Sequence, residues 1–350
     1  MQWRSYRTSI LLAVTLTLLL SAFWFFPSLA FIIFISLLLQ LLLAPPVEFL
    51  CRKKLPRAVS AGIVLIAFVA LLITMLGIIS RTFIPTFTRF VTDLPQLSLS
   101  LQNIPFLPAS DFLANEVDSL MKEMTNVSVD ALKSSLSMIL SIFGKFIDFV
   151  IILFVTFYLL KDGEEIKVFL ASLFPHKDYA RVLNLFNRIL HALRIYISSQ
   201  LVLCAITATV VFSYFTLRGL PYASVFAFVS GISEFIPVLG PTVASAFGTI
   251  LTATQAPGLT LQTLAFYVVL TQINHNFVYP TLIGKSLNLH PIAIILGIIF
   301  GGELLNAAGM FLAVPVIVIC KIVIEDIYKD RLEVFRQRRE RCRCPKPESK

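Results

Sequence analysis

SEFIPVLGPTVASAFG, residues 233–248, sets a glutamate, two prolines and two glycines inside a long apolar run. Proline removes a backbone donor and glycine weakens a helix, so this stretch ends or breaks one. In water that is an ordinary turn. At the centre of a bilayer it is costly: a carboxylate there costs roughly 2.5–3.5 kcal/mol on insertion scales, and freed backbone groups have no water to bind. Which of the two it is depends on the solvent of the whole chain.

The composition settles the solvent. Of 350 residues, 57% are hydrophobic and 14% charged, with a mean hydropathy of +0.86. Soluble domains carry roughly 25% charged residues. The chain lacks the polar surface to stay dissolved, and we read it as an all-α, polytopic integral membrane protein.

The net charge of +9 is distributed as a membrane topology requires. Most lysines and arginines fall in short clusters between apolar runs: Arg4 and Arg7; Arg52, Lys53, Lys54 and Arg57; the stretch 161–194; and the tail 321–350. Basic residues mark cytoplasmic loops. A nucleic-acid footprint needs a basic face on a folded domain, so no nucleic-acid partner is expected. Cys51, Cys204 and Cys320 lie in or beside apolar segments, while Cys342 and Cys344 lie in the basic tail. They form no CxxC pair and no disulfide framework.

A helix needs about 20 apolar residues to cross the hydrocarbon core. Residues 9–26 and 28–43 are expected to be two membrane helices turning at Pro27, with Pro45-Pro46 ending the second. The start resembles a signal peptide, but a further apolar stretch follows at once, which favours the helix pair. Residues 58–79 cross outward, completing an N-terminal three-helix membrane region over 1–79. Pro85, Pro95, Pro105 and Pro108 then predict short pieces, followed by amphipathic patterns over 113–124 and 129–143. Acids outnumber bases there, so 80–145 is read as a small helical extracytoplasmic insertion. Residues 146–160 return inward. Residues 182–194 set Val182, Phe186, Ile189, Leu190 and Leu193 opposite Asn184, Asn187, Arg188, His191 and Arg194. That pattern suits a helix lying on the inner membrane surface. Residues 146–324 form the expected transport core, and 325–350 a basic cytoplasmic tail.

Between 195 and 320 the charged residues are Arg218, Glu234, Lys285 and Glu303. Both acids sit in apolar runs with matched glycines: Gly240 and Gly309 each follow their glutamate by six residues, and Gly231, Gly301 and Gly302 precede. Residues 223–235 make only about 20 Å of helix, too short for a core of about 30 Å. Pro237, Gly240 and Pro241 interrupt the first segment, and 306–309 interrupts a second over 291–324. Broken helices at membrane depth mark substrate and ion sites in transporters. Two topologies satisfy the charges. In the preferred one, 222–254 and 291–324 are re-entrant hairpins entering from opposite faces, leaving Lys285 cytoplasmic. In the other, both are full spans, giving eight crossings and an external Lys285.

Glu234 and Glu303 are the expected carriers of coupling protons or cations. Asn274, Asn276, Gln272 and Asn306 are candidates to line a polar path, and His275 is a weaker candidate as a relay. His290, before Pro291, reads as a helix-start residue. No HExxH, GxSxG, paired intramembrane aspartates or Walker-type loop is present, so neither an enzyme nor an ATP-driven pump is expected, and no cofactor or metal. A non-transporting membrane scaffold is the remaining reading.

SGISEFIPVLGP (230–241), QINHNFVYPTLIGKSLNLHP (272–291) and GIIFGGELLNAAGMFLAVPV (297–316) resemble the signature stretches of the autoinducer-2 exporter family of permeases. The matching residues are Pro237, Gly240, Pro241, Gln272, Asn276, Pro280, Gly284, His290, Pro291, Gly301, Gly302, Gly309 and Pro315. The N-terminal helix pair, the basic loop and the Lys-Asp-Gly at 161–163 also fit, so the resemblance covers nearly the whole chain. Asn306 departs from it, standing where the pattern has glycine. The resemblance implies a bacterial, inner-membrane, homo-oligomeric protein; the basic clusters place both termini in the cytoplasm, and a secondary transporter working by alternating access is the preferred mechanism. The resemblance also implies export of small molecules in some members, and exchange of sodium or lithium for protons in others.

Overall fold

The computed structural model describes residues 3–101, 135–237, 239–283 and 289–341. Among these there is no strand. The helices are α1 Trp3–Phe25, α2 Pro27–Arg52, α3 Arg57–Leu101, α4 Ser135–Ser172, α5 Tyr179–Leu217, α6 Ala223–Ser233, α7 Leu239–Gln255, α8 Thr260–Ile273, α9 Tyr279–Ile283 and α10 Pro291–Arg341. A 3₁₀ turn, Pro257–Leu259, precedes α8, and a π-turn, Asn274–Val278, separates α8 from α9. Pro27–Arg52, Arg57–Ile78, Tyr179–Leu217 and Pro291–Tyr328 are long and apolar enough to cross a membrane. The chain is a polytopic helical membrane protein.

Several expected helix ends are not ends. α2 runs through Pro45 and Pro46 to Arg52, and α3 runs through Pro85 and Pro95 to Leu101. A proline deletes one donor and crowds the carbonyl four residues back. In a membrane protein, neighbouring groups re-satisfy that carbonyl, and the helix continues. The amphipathic pattern at 113–124, part of that at 129–143, the end of the tail and Lys285 lie outside the described residues.

The residues divide into two compact units, one of Met1–Leu42, Tyr158–Ile195 and Leu287–Lys350, the other of Leu43–Phe157 and Tyr196–Ser286. In the first, α1 packs against α10. Of the predicted apolar face on the first turns of α5, Val182, Ile189 and Leu193 are buried within the protein and Phe186 and Leu190 are half-buried. That face is turned to protein and not to a membrane surface. Beside it Arg181 donates through Nε to Oδ2 of Asp326 at 2.9 Å and through Nη2 to the Asp326 carbonyl at 3.2 Å.

α10 is a hairpin in itself. Leu305 and Asn306 leave helical geometry, Asn306 at φ 53°, ψ −137°. Around this bend Gly301 abuts Gly309, and Gly297 faces Ile317 and Ala313, so the arms 291–304 and 307–341 run antiparallel. A Cβ on Gly309 would fall on the Gly301 carbonyl oxygen, and that close approach requires glycine.

The second unit is organised around α5, α6, α7 and α8. Val211, Phe215, Leu220, Phe226, Leu251, Tyr267 and Leu270 form its buried core. Phe215 stacks on Phe226 at 5.0 Å and meets Tyr267 edge-on at 6.5 Å. Phe226 of α6 and Phe247 of α7 approach to 6.4 Å, which folds 223–255 back on itself, and α3 packs against both arms.

Candidate functional site

α6 has 11 residues, or about 16 Å of helix. Its end follows from Pro237. That residue has no N–H for the Ser233 carbonyl, which instead accepts from Ile236 at 3.0 Å in a tightened last turn. Leu239 N–H then turns back to the Pro237 carbonyl at 2.8 Å, and α7 begins. Gly240 and Pro241 therefore lie in the first turn of α7, not ahead of it, where a missing donor costs nothing. Gly240 presses on the Ser233 carbonyl so closely that a Cβ would overlap the oxygen.

Glu234 is the residue at the break, and it is 7% exposed. Its Oε1 accepts from Thr207 Oγ1 at 2.9 Å and from Asn274 Nδ2 at 3.0 Å. Asn274 Nδ2 also donates to Thr207 Oγ1 at 2.9 Å, closing a three-membered ring of polar side chains. The break frees the Glu234 carbonyl, and Gln200 Nε2 fills it at 2.6 Å. Tyr279 Oη in turn donates to Gln200 Oε1 at 3.2 Å. Three parts of the chain thus converge: α5 supplies Gln200 and Thr207, the π-turn supplies Asn274, and α9 supplies Tyr279. Glu234 Oε2 has no partner among the described residues. Asn274 Oδ1 is buried without one among the described residues, as are Tyr196 Oη, Ser60 Oγ and Thr249 Oγ1, a condition rare for buried polar atoms.

Of the expected site residues, Glu234 and Asn274 meet directly, and Pro237, Gly240 and Pro241 shape the break between α6 and α7. Gln272 and Asn276 are exposed and bonded to each other at 3.0 Å. His275 stacks on Tyr279 at 6.2 Å, and Pro280 is exposed in the first turn of α9. Glu303, Asn306 and Gly309 belong to the other unit. Glu303 and Asn306 are exposed, and Glu303 has no hydrogen bond or ion pair among the described residues. His290 is the helix-start residue expected: its Nδ1 accepts from Ile292 N–H at 3.3 Å.

Gln200, Thr207 and Tyr279 were not anticipated. Gln200 and Thr207 stand seven residues apart in an apolar span, two turns along one helix face, and that spacing was the available signal.

Residues 12–329 match the family model described as AI-2E family transporter. Two Bacillus subtilis proteins bearing provisional transport-protein names are similar along most of their length. YueF is 28% identical over 332 residues, 88% of each chain. YrrI is 26% identical over 335 residues, 91% of this chain and 92% of its own. The Escherichia coli AI-2 transport protein TqsA is 24% identical over 305 residues, 83% of this chain and 84% of its own.

Proposed function

The chain belongs to the AI-2E transporter family, and from that premise we propose that it is a secondary transporter exporting a small polar molecule by alternating access, with Glu234 as its coupling group. The observation that carries this is the Glu234 carboxyl: 7% exposed, at the break of a helical hairpin, with one oxygen held by Thr207 and Asn274 and the other without a partner among the described residues. Ionisable groups inside membrane segments are expensive, and they mark ion and substrate routes. A carboxyl fixed by neutral donors on one oxygen keeps the other available to a proton or cation. Asn274 Oδ1, buried and without a partner among the described residues, supplies an acceptor for a polar solute. TqsA, by its name, carries AI-2, which makes signal furanones the first solutes to try here.

Glu303, exposed near the bend of α10, is the second coupling candidate. In this reading the protein sits in the cell inner membrane as a homo-oligomer with both termini cytoplasmic. The 223–255 hairpin enters from outside, and the hairpin of α10 enters from the cytoplasm. Single cysteines placed at Gln255 and Ser286 check the orientation: Gln255 labels from outside and Ser286 from inside, and the reverse supports eight full spans.

The decisive measurement is flux by the purified protein in liposomes, screened over furanones, sodium and protons. Glu234→Gln should fold normally and lose the dependence of flux on an imposed pH gradient. Unchanged flux and pH dependence in both Glu234→Gln and Glu303→Gln would remove the coupling role. An absence of flux for every solute supports a scaffold instead.

A further inference from the structure

The join between α8 and α9 is a π-turn of five residues, Asn274–Val278, closed by Tyr279 N–H donating to the Asn274 carbonyl. Its cause is local. Pro280 has no N–H, and its ring would crowd the carbonyl of Asn276 in an α-helix; widening the preceding turn relieves this. Turns of this kind are rare and often stand at functional sites.

The widened turn also changes which residues share a face. In an α-helix, positions five apart stand about 140° apart around the axis. If Asn274 faced α5, Tyr279 would face elsewhere. An i→i+5 turn brings them nearly into line, and both do reach α5, Asn274 at Thr207 and Tyr279 at Gln200. Between them they hold both functional ends of Glu234. Asn274 bonds its side chain at 3.0 Å, and Tyr279 orients the Gln200 amide that binds its carbonyl at 2.6 Å.

We propose that Pro280 is a positioning residue: by imposing the π-turn it sets Asn274 and Tyr279 in register on either end of Glu234. Its relevance to flux rests on the reading of Glu234 as a coupling group, but the alignment itself does not. A π-turn is an α-helix with one residue inserted, so the proposal has a specific rescue. Pro280→Ala alone restores the missing donor, lets the segment return to α-geometry and swings Tyr279 off Gln200. Pro280→Ala combined with deletion of Phe277, a residue 70% exposed, puts Asn274 and Tyr279 four apart, in line again.

The test adds Tyr279→Phe to the native protein and to both variants and reads thermal midpoints in detergent, a readout that needs no transport. In the native protein, losing the hydroxyl should lower the midpoint by about 2–4 °C. The shift should vanish in Pro280→Ala and return in the deletion variant. Flux through liposomes should follow the same order, falling about tenfold in Pro280→Ala, the equivalent of one buried hydrogen bond, and recovering with the deletion. An undiminished Tyr279→Phe shift in Pro280→Ala overturns the proposal. If Pro280→Ala does not fold, the deletion variant decides: folded and sensitive to Tyr279→Phe supports it, unfolded overturns it. Flux absent even from the native protein would count against the transporter reading, while the thermal cycle still judges the alignment.

Discussion

Glu234 Oε1 lies 3.0 Å from Nδ2 of Asn274, a residue 40 positions away in the chain. Thr207 Oγ1 donates to the same oxygen at 2.9 Å. Among the described residues, both donors to this carboxyl oxygen are neutral. Asn274→Leu should cost about 1–3 kcal/mol, because one buried acceptor loses a partner. Glu234→Leu in the Asn274→Leu background should then cost far less than in the native protein, since the polar group in need of partners has gone. Thermal or denaturant unfolding in detergent measures the cycle, and strictly additive losses would mean the two side chains are not coupled.

Gly240 and Gly309 occupy corresponding places in the two hairpins, six residues after Glu234 and Glu303. In each case a Cβ would strike a backbone carbonyl oxygen, that of Ser233 or of Gly301. Backbone cannot step aside as a flexible side chain does, so overpacking costs of about 1–3 kcal/mol are a lower guide. Gly240→Ala and Gly309→Ala should each reduce the folded yield and the melting temperature, while Gly258→Ala, which meets open space, should change neither. Equal effects at all three positions would show that the close approaches are not needed.

The breaks were legible because glycine, proline and glutamate are so foreign to an apolar run that their clustering has few readings. Their partners were not. A threonine or glutamine within a membrane helix bonds equally well to its own backbone, as Thr209 does to the Ala205 carbonyl at 2.8 Å. Nothing short of the packing of α5 on the α6–α7 hairpin tells Thr207 from Thr209. Prolines misled for a related reason: Pro237 ends a helix where Pro45, Pro46, Pro85 and Pro95 do not. The residue type alone therefore does not tell a helix end from a proline that a helix runs through. The α5 amphipathic face was correctly located but assigned the wrong cover, because periodicity reveals a face and not what lies against it.

Arg181 binds Asp326 with both Nε and Nη2, at 2.9 and 2.8 Å from Oδ2, and caps its carbonyl as well. Arg188 approaches the other carboxylate oxygen at 3.6 Å. The guanidinium fork makes this geometry, and lysine cannot reproduce it. Arg181→Lys should therefore destabilise almost as much as Arg181→Ala, by about 1 kcal/mol for a pair that is largely but not wholly screened from solvent. The difference from the native protein should shrink as salt is raised. A lysine variant as stable as the native protein at low salt would show that charge alone suffices there.

Asn306 is the bend of α10, and its backbone at φ 53°, ψ −137° is close to the first central position of a type II′ turn, where glycine is preferred and asparagine is a lesser substitute. A residue with a Cβ held there stores roughly 1–3 kcal/mol of strain. The strain must be offset by the packing of the two arms, which the Gly301–Gly309 approach makes possible. Asn306 is itself exposed, so the substitution disturbs little besides the backbone. Asn306→Gly should accordingly raise stability by about 1 kcal/mol, less than the full strain because glycine also gains freedom in the unfolded chain. Asn306→Ala, without a side-chain amide to bond locally, should lower it. Melting temperatures of the three proteins in one detergent give the order Gly above Asn above Ala. A glycine variant that melts lower than the native protein would mean that the Asn306 side chain makes a contact worth more than the strain it carries.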